Sequence, residues 1–516
     1  MFVLGLDSST QSLTAVVLDA GSGRVVHQRS LNFDRDLPAY GTRSGVLPHA
    51  DPTLVHAPPL MWAEALDRIL TALSTAVDLS QVAAIAGSAQ QHGSVYLRDS
   101  FPAALAGLRH DAPLAGQLAG VFSRATAPVW LDSSTGDDCR AIDTALGGPA
   151  ATQRITGSAA YERFTGPQIR RFARLESQAW AETAHVRLVS SFLASLLAGR
   201  PVGTDWGDGS GMNLMDLGTR TWHRPALDAV ATDLERRLGS PMPPAAQLGF
   251  IAPALARRYG LPASCRLLPW TGDNPSSAIG LGLVRDGACA LSLGTSDVLF
   301  AVSQTRPAMP PAGHTFLSPS GDHMALFCFA NGSLAREAVK DAHRLDWDGF
   351  TAALGRTAPG NAGRLMLPWF RPEIVPKVPV AGVRRIGYAA GDGDADARAV
   401  VEGQFLSMRL RAEAAGIRPV ELCATGGAAQ NAAILQIAAD VLQCPVRRSQ
   451  ITNTAALGAA VRALRLVSGG DWMEVAAAAV APHLGAPNVP RPAVAAVYAD
   501  LARSYARAEA EALRAG

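Results

Sequence analysis

Residues 5–19 read GLDSSTQSLTAVVLD. Phe2 to Leu6 is an apolar run. Asp7-Ser8-Ser9-Thr10-Gln11 is short and polar, and Leu13 to Leu18 is apolar again and rich in β-branched residues. Two such runs suit neighbouring strands of one sheet. The turn lacks the Asn-Gly or Gly-Asn pair of a tight hairpin, yet it sets a carboxylate and three hydroxyls at a sheet edge. A second stretch, ACALSLGTSDVLFAV at 288–302, repeats the order of β-rich run, small polar turn and β-rich run half a chain away. Only the pattern recurs, so the internal repeat is weak. Two related halves of this kind would set two polar turns facing each other across a cleft.

The totals narrow what those turns could hold. A chain of 516 residues has room for two or three domains with sizeable cores. A net charge of +2 gives no broad electrostatic case for nucleic acid or membrane. Lysine occurs only at Lys340 and Lys377, followed by Asp341 and Val378, so the Gly-Lys-Ser/Thr of a P-loop is excluded. If ATP binds, backbone amides, a metal ion or arginine must hold its phosphates. The six cysteines are irregularly spaced with no C-x-x-C pair, which reads as reduced core thiols and argues against a zinc site. No basic segment precedes the first apolar run, and the apolar stretch at 188–198 is too short and too polar to span a bilayer. A cytoplasmic location is expected.

Along the chain, helix and strand patterns alternate, the signature of α/β architecture. Helices are expected at 59–73, 182–197, 396–414 (capped by Asp394 or Asp396), after TGGAAQN to about 442, and on the surface at 496–514. Strands are expected at 82–86 and 421–424, and a connection near a domain boundary at 239–256. The segment 392–402 begins like a calcium loop but lacks the sixth-position glycine, and reads better as a helix cap. No G-x-G-x-x-G and no G-x-S-x-G occurs.

Five segments carry chemistry. The Asp7 turn reads locally as a polar hairpin tip; with the second turn at Gly294-Thr295-Ser296 it reads better as one of two phosphate cradles of backbone N–H groups, with Asp7 suited to a hydrated Mg²⁺. In TGDNPSS at 271–277, Asp273 or Asn274 either caps a helix or offers a carboxylate to a substrate hydroxyl. Gln91 and His92 follow a strand, where ligands of α/β sheets bind; a lone histidine is otherwise more often structural. In TGGAAQN at 425–431, Gly426 and Gly427 either punctuate a βα loop or admit an adenosine against the backbone, with Gln430 or Asn431 capping the helix or touching the nucleotide.

Taken together these segments resemble the FGGY family of carbohydrate kinases over essentially the whole chain. The strand–Asp–hydroxyl turn, the mid-chain Gly-Asp segment, the SLGTS hairpin and the G-G-x-x-x-N turn appear in family order. Longer stretches, among them SAQQHGSVY, PVWLDSSTGDDCR, ITGSAAYERFTGPQI, DWGDGSGMNLMDL and WTGDNPSSAIG, match the subgroup acting on D-xylulose. Gln168 departs from the general pattern, which often has lysine there. The resemblance implies two actin-like (ribonuclease H-like) ATPase domains, 1–262 and 263–516, around a central catalytic cleft. It implies ATP and Mg²⁺, with a small sugar as partner and neither nucleic acid nor membrane, in a monomer or homodimer. Asp273 would be the general base. Gln91, His92, Arg163, Asp273 and Asn274 would hold the open-chain ketose. Trp347, Gly426, Gly427 and Asn431 would contact nucleotide. Asp7 and Asp273 would face the metal, and Ser9, Thr10, Gly294, Thr295 and Ser296 the phosphates. The competing readings are a family kinase for another ketopentose or polyol, an actin-like ATPase serving a protein partner, and a catalytically dead sugar-binding homologue.

Overall fold

The first hairpin forms as its pattern demands. Strands β1 (Phe2–Ser8) and β2 (Ser12–Asp19) are buried along nearly their whole length and pair antiparallel from Phe2↔Asp19 to Ser8↔Leu13. This is a computed structural model describing residues 1–515. Strand β3 (Val25–Asn32) pairs antiparallel with β2, while β4 (Val82–Ala89) joins β1 in parallel. Two short strands, β5 (Arg266–Leu267) and β6 (Thr271–Gly272), extend β4 in parallel. A parallel strand buried on both faces is near-continuously apolar, as Val82 to Ala86 is. The Pro59–Ser74 helix contributes Met61, Trp62, Leu66, Ile69 and Leu70 to the core on this sheet.

The chain divides into two units. The first holds residues 1–284, 316–322 and 452–482, and the second holds 285–315, 323–451 and 483 onward. This corrects the boundary expected at residue 262. Residues 266–272 belong to the first sheet because β5 and β6 pair with β4. The Asp273–Gly280 helix packs on the distant Thr454–Ser468 helix. Their approach requires glycine: a Cβ on Gly458 would stand 1.8 Å from the Ser276 carbonyl, and one on Gly280 would stand 1.9 Å from that of Thr454. No local pattern in 452–482 reveals that return.

In the second unit, β7 (Ala288–Leu293) and β8 (Asp297–Ser303) form the second hairpin. Strand β9 (His323–Phe329) pairs antiparallel with β8, and β10 (Glu421–Thr425) joins β7 in parallel, followed by β11 (Val446–Arg448). The core on this sheet is built from the Gly393–Ala414 and Ala432–Leu442 helices and the apolar face of the C-terminal Ala495–Ala515 helix, which buries Tyr498, Leu501 and Tyr505.

Two local expectations shift. The helix expected over 182–197 starts at Val189, because His185–Leu188 is a strand paired antiparallel with Ser94–Leu97. The helix expected from 396 starts at Gly393 and is capped by Asp392, whose Oδ1 accepts from Ala395 N at 3.0 Å. Asp394 instead pairs with Arg356, and Asp396 with Arg385, Tyr388 and His343. Among the described residues no helix is long and apolar enough to cross a membrane, and none of the six cysteines is in a disulfide.

Candidate active site

The register of the first sheet gathers the chemistry at its carboxyl edge. Asp7 lies beside Ser88, and Thr271 lies on the other side of Ser88. Two residues beyond Thr271, Asp273 opens its helix. Its Oδ1 accepts from Asn274 N at 2.8 Å, from Asn274 Nδ2 at 3.2 Å and from Gln91 N at 3.3 Å. Its Oδ2 accepts no hydrogen bond among the described residues. One oxygen is therefore fixed and the other is open to a ligand. The Gln91 side chain joins the group, with Oε1 accepting from Asn274 Nδ2 at 2.8 Å. Burial raises the Asp273 carboxyl to about 6, against hydrogen bonds from the Asn274 and Gln91 backbones that pull it down.

His92 sits nearby in the left-handed backbone region, with φ +74°. Such strain persists only where neighbours enforce it. Thr165 Oγ1 donates to the His92 carbonyl at 3.0 Å, and the ring stacks on Phe164 with centroids 4.4 Å apart. Nδ1 lies 2.8 Å from the Gly211 carbonyl, which can only accept, so Nδ1 carries the proton. Arg163 lies over Tyr161 and Trp130, its guanidinium carbon 4.7 and 5.6 Å from the ring centroids.

Asp7 is buried and receives 2.7 Å from Ser88 Oγ. Burial first, and the charge of Asp273 second, raise its carboxyl to about 7. No arginine or lysine offsets either carboxylate among the described residues. A buried carboxylate and a partly buried one that repel each other suit a divalent cation. No cluster of three or more His, Cys, Asp or Glu ligands occurs among the described residues. Mg²⁺ takes one or two carboxylates and completes its shell with water and substrate phosphates, a donor set that Asp7 and Asp273 could supply in part.

In the hydroxyl turn, Ser9 is spent locally: Oγ donates to Ser12 O at 3.1 Å and accepts from Ser12 N at 3.2 Å. Thr10 Oγ1 accepts from the Trp130 indole at 2.8 Å. Gln168 Nε2 donates to Asp132 Oδ1 at 2.8 Å, so glutamine supports the Trp130–Asp132 turn. Gln90, beside Gln91 in the same segment, is buried with both amide atoms unpartnered, and sequence reasoning missed the buried pair Asp205 and Asp208. Burial raises both aspartates, Asp208 well above the carboxylate range, with the Asp205 and Asp273 charges adding to its shift. The quoted segment DWGDGSGMNLMDL contains them, but nothing local separates buried from solvated carboxylates.

The second unit carries the other predicted residues. Thr295 and Ser296 are exposed at the β7–β8 turn, and the Gly294 carbonyl accepts from Ser333 N at 2.8 Å. Gly426 has φ +89°, and a Cβ there would stand 2.4 Å from the Leu293 carbonyl, so glycine is required behind the turn. A pocket of about 610 Å³ is lined by Trp347, Thr351, Gly427 and Asn431, among others. That volume suits a nucleotide-sized ligand. Asn431 mainly builds its wall: Oδ1 caps the Ala432–Leu442 helix through Ala433 N and Ile434 N, and Nδ2 donates to Thr351 Oγ1 at 2.7 Å. Trp347 is 44% exposed, edge-on to Phe350.

Comparison with known proteins places this arrangement. The N-terminal domain of the FGGY family of carbohydrate kinases matches residues 125–280, and the C-terminal domain of that family matches residues 289–467. The break between them falls where the two units divide. The chain is 42% identical over 521 aligned positions to the xylulose kinase of Rattus norvegicus, covering 98% of this chain and 96% of that one. It is 40% identical to xylulose kinase 2 of Arabidopsis thaliana, over 89% of this chain and 86% of that one. In fold it is similar to the xylulose kinase of Rhodospirillum rubrum, with a TM-score of 0.83 at 22% identity and 99% coverage of both chains. The chain belongs to the FGGY family of carbohydrate kinases, with that family's two-domain, actin-like ATPase fold.

Proposed function

We propose that this chain transfers the γ-phosphoryl group of ATP to D-xylulose, giving ADP, D-xylulose 5-phosphate and a proton. The Asp273 carboxylate carries this reading. Three N–H donors fix Oδ1, and the open Oδ2 is placed to take the hydroxyl proton as the new P–O bond forms and the bond to ADP breaks. With its carboxyl near 6, Asp273 is mostly ionised at neutral pH and more basic than an ordinary aspartate. Gln91, His92, Arg163 and Asn274 orient the ketose. His92 is oriented by its Nδ1 proton, which faces the Gly211 carbonyl. Gly294, Thr295 and Ser296 meet the phosphates, and Trp347, Gly426, Gly427 and Asn431 frame the nucleotide. Asp7 and Asp273 would hold Mg²⁺, which when bound neutralises phosphate charge. Most of the rate comes from positioning and charge neutralisation. The 42% and 40% identical xylulose kinases support D-xylulose over other ketopentoses. The same reading puts the enzyme in the cytoplasm.

The test is ADP release with Mg·ATP and a panel of ketoses and polyols, with Asp273→Ala in parallel. Highest kcat/KM for D-xylulose and a nearly silent variant is the expected result. A different preferred sugar would change the substrate and keep the mechanism; no stimulation by any sugar would overturn the kinase reading.

A further inference from the structure

We propose that Trp130 is a positioning residue that sets the direction of the Thr10 hydroxyl, committing it to donate a proton into the phosphate-facing turn while the same indole backs the Arg163 guanidinium. An indole N–H only donates, whereas a hydroxyl both donates and accepts. At 2.8 Å from Trp130 Nε1, Thr10 Oγ1 must therefore accept. Its own O–H makes no other hydrogen bond among the described residues and is left to donate, as an anion requires. Ser9 offers no substitute, because Ser12 occupies its hydroxyl in both directions.

The indole is held from behind. Asp132, two residues on, accepts from Val55 N at 2.9 Å, from Ser134 Oγ at 2.6 Å and from Gln168 Nε2 at 2.8 Å. This fixes the turn that carries Trp130. The Arg163 guanidinium carbon lies 5.6 Å from the Trp130 ring centroid and 4.7 Å from that of Tyr161, close enough for cation–π attraction. One flat side chain, 36% exposed, thus touches both a hydroxyl assigned to phosphate and a cation assigned to sugar. The inference rests on the reading of the Asp7 turn as a phosphate site.

Three variants form the test. Trp130→Phe keeps a ring beside Arg163 and removes the N–H. Thr10→Val keeps the shape and removes the hydroxyl. The double variant closes the cycle. With D-xylulose and Mg·ATP, each single variant should lose about tenfold in kcat, the scale of one charge-assisted hydrogen bond. KM for the sugar should move less than about threefold, and the double variant should be no worse than Thr10→Val alone. A purely structural tryptophan would lower the melting temperature without that split, and additive losses or an unaffected Trp130→Phe would overturn the proposal. Inactivity of the wild-type protein toward every sugar would instead mark failure of the phosphate reading. In that case the ¹⁵N–¹H resonance of the Trp130 indole, assigned by its loss in Trp130→Phe, still decides the contact. It should shift upfield in Thr10→Val, and an unmoved resonance would refute it.

Discussion

The two hairpins of this chain are built alike and used differently. In the first unit the strand order is β3-β2-β1-β4-β5; in the second sheet the same order, β9-β8-β7-β10-β11, is preceded by one more edge strand, His314–Leu317, beside β9. Each hairpin is antiparallel, and each of β1 and β7 has a parallel partner on its far side. The internal repeat read from two short stretches is thus a repeat of topology. The carboxylates beside the turns then diverge. Asp7, next to last in β1, meets another carboxylate, Asp273, with no cation to offset them among the described residues. Asp297 opens β8 and is locked to Arg336 through two hydrogen bonds of 2.8 and 3.0 Å, both side chains fully buried. Arg336 also donates to Gln404 and Ser333. One copy of the hairpin leaves its carboxylate without a cationic partner among the described residues; the other pairs it with an arginine that holds the turn.

The largest expected effect would sharpen that contrast at the reacting end. Asp273→Ala should lower kcat by about 10²–10⁴ while affinity for metal-free ATP, measured by calorimetry, stays within about threefold. Next comes the locked copy. Arg336→Ala strands the buried Asp297 charge and should cost about 3–5 kcal/mol of stability, read by denaturant unfolding. A loss below about 1 kcal/mol would mean that Asp297 is not confined as described.

Asp7→Asn should do the opposite in the first unit, raising the melting temperature of the metal-free protein while lowering activity. The pH dependence follows from the same cause. Asp7 and Asp273 hold their protons up to about 7 and 6, against about 4 in an unfolded chain. The folded state binds extra protons in that window, so their contribution to stability is present below about pH 4 and lost as pH rises through about 6 to 7. Asp7→Asn should flatten this slope, and saturating Mg²⁺ should remove it by favouring the charged forms. The smallest effect is expected at Trp347. Replacing this half-exposed wall by alanine should raise KM for ATP about two- to tenfold and leave KM for the sugar unchanged; an unchanged KM for ATP would make Trp347 a packing residue alone.

Much of this was legible from residue order, because hairpin turns, caps and strand alternation are decided over a few neighbours. The two hairpins, the Gly-Asp segment and the Gly-Gly turn were all visible as such. Apart from two helix starts, at Val189 and Gly393, what failed was long-range. Asn431 was open between cap and nucleotide contact, and its bonds to Ala433, Ile434 and Thr351 show how much of it goes to structure. The 262 boundary failed because the glycine contacts at Gly280 and Gly458 join residues far apart in the chain.

By itself, then, the sequence determined the alternation of strands and helices, the chemistry of each turn and the exclusion of a P-loop, all of which depend on residue type and local spacing. Tertiary structure alone decided which carboxylates are neutralised and which are not. Asp297 finds its arginine 39 residues later, whereas Asp7 finds only Ser88 and the charge of Asp273. A carboxylate's behaviour is set by burial and by the charges that folding brings beside it, and those neighbours come from remote parts of the chain.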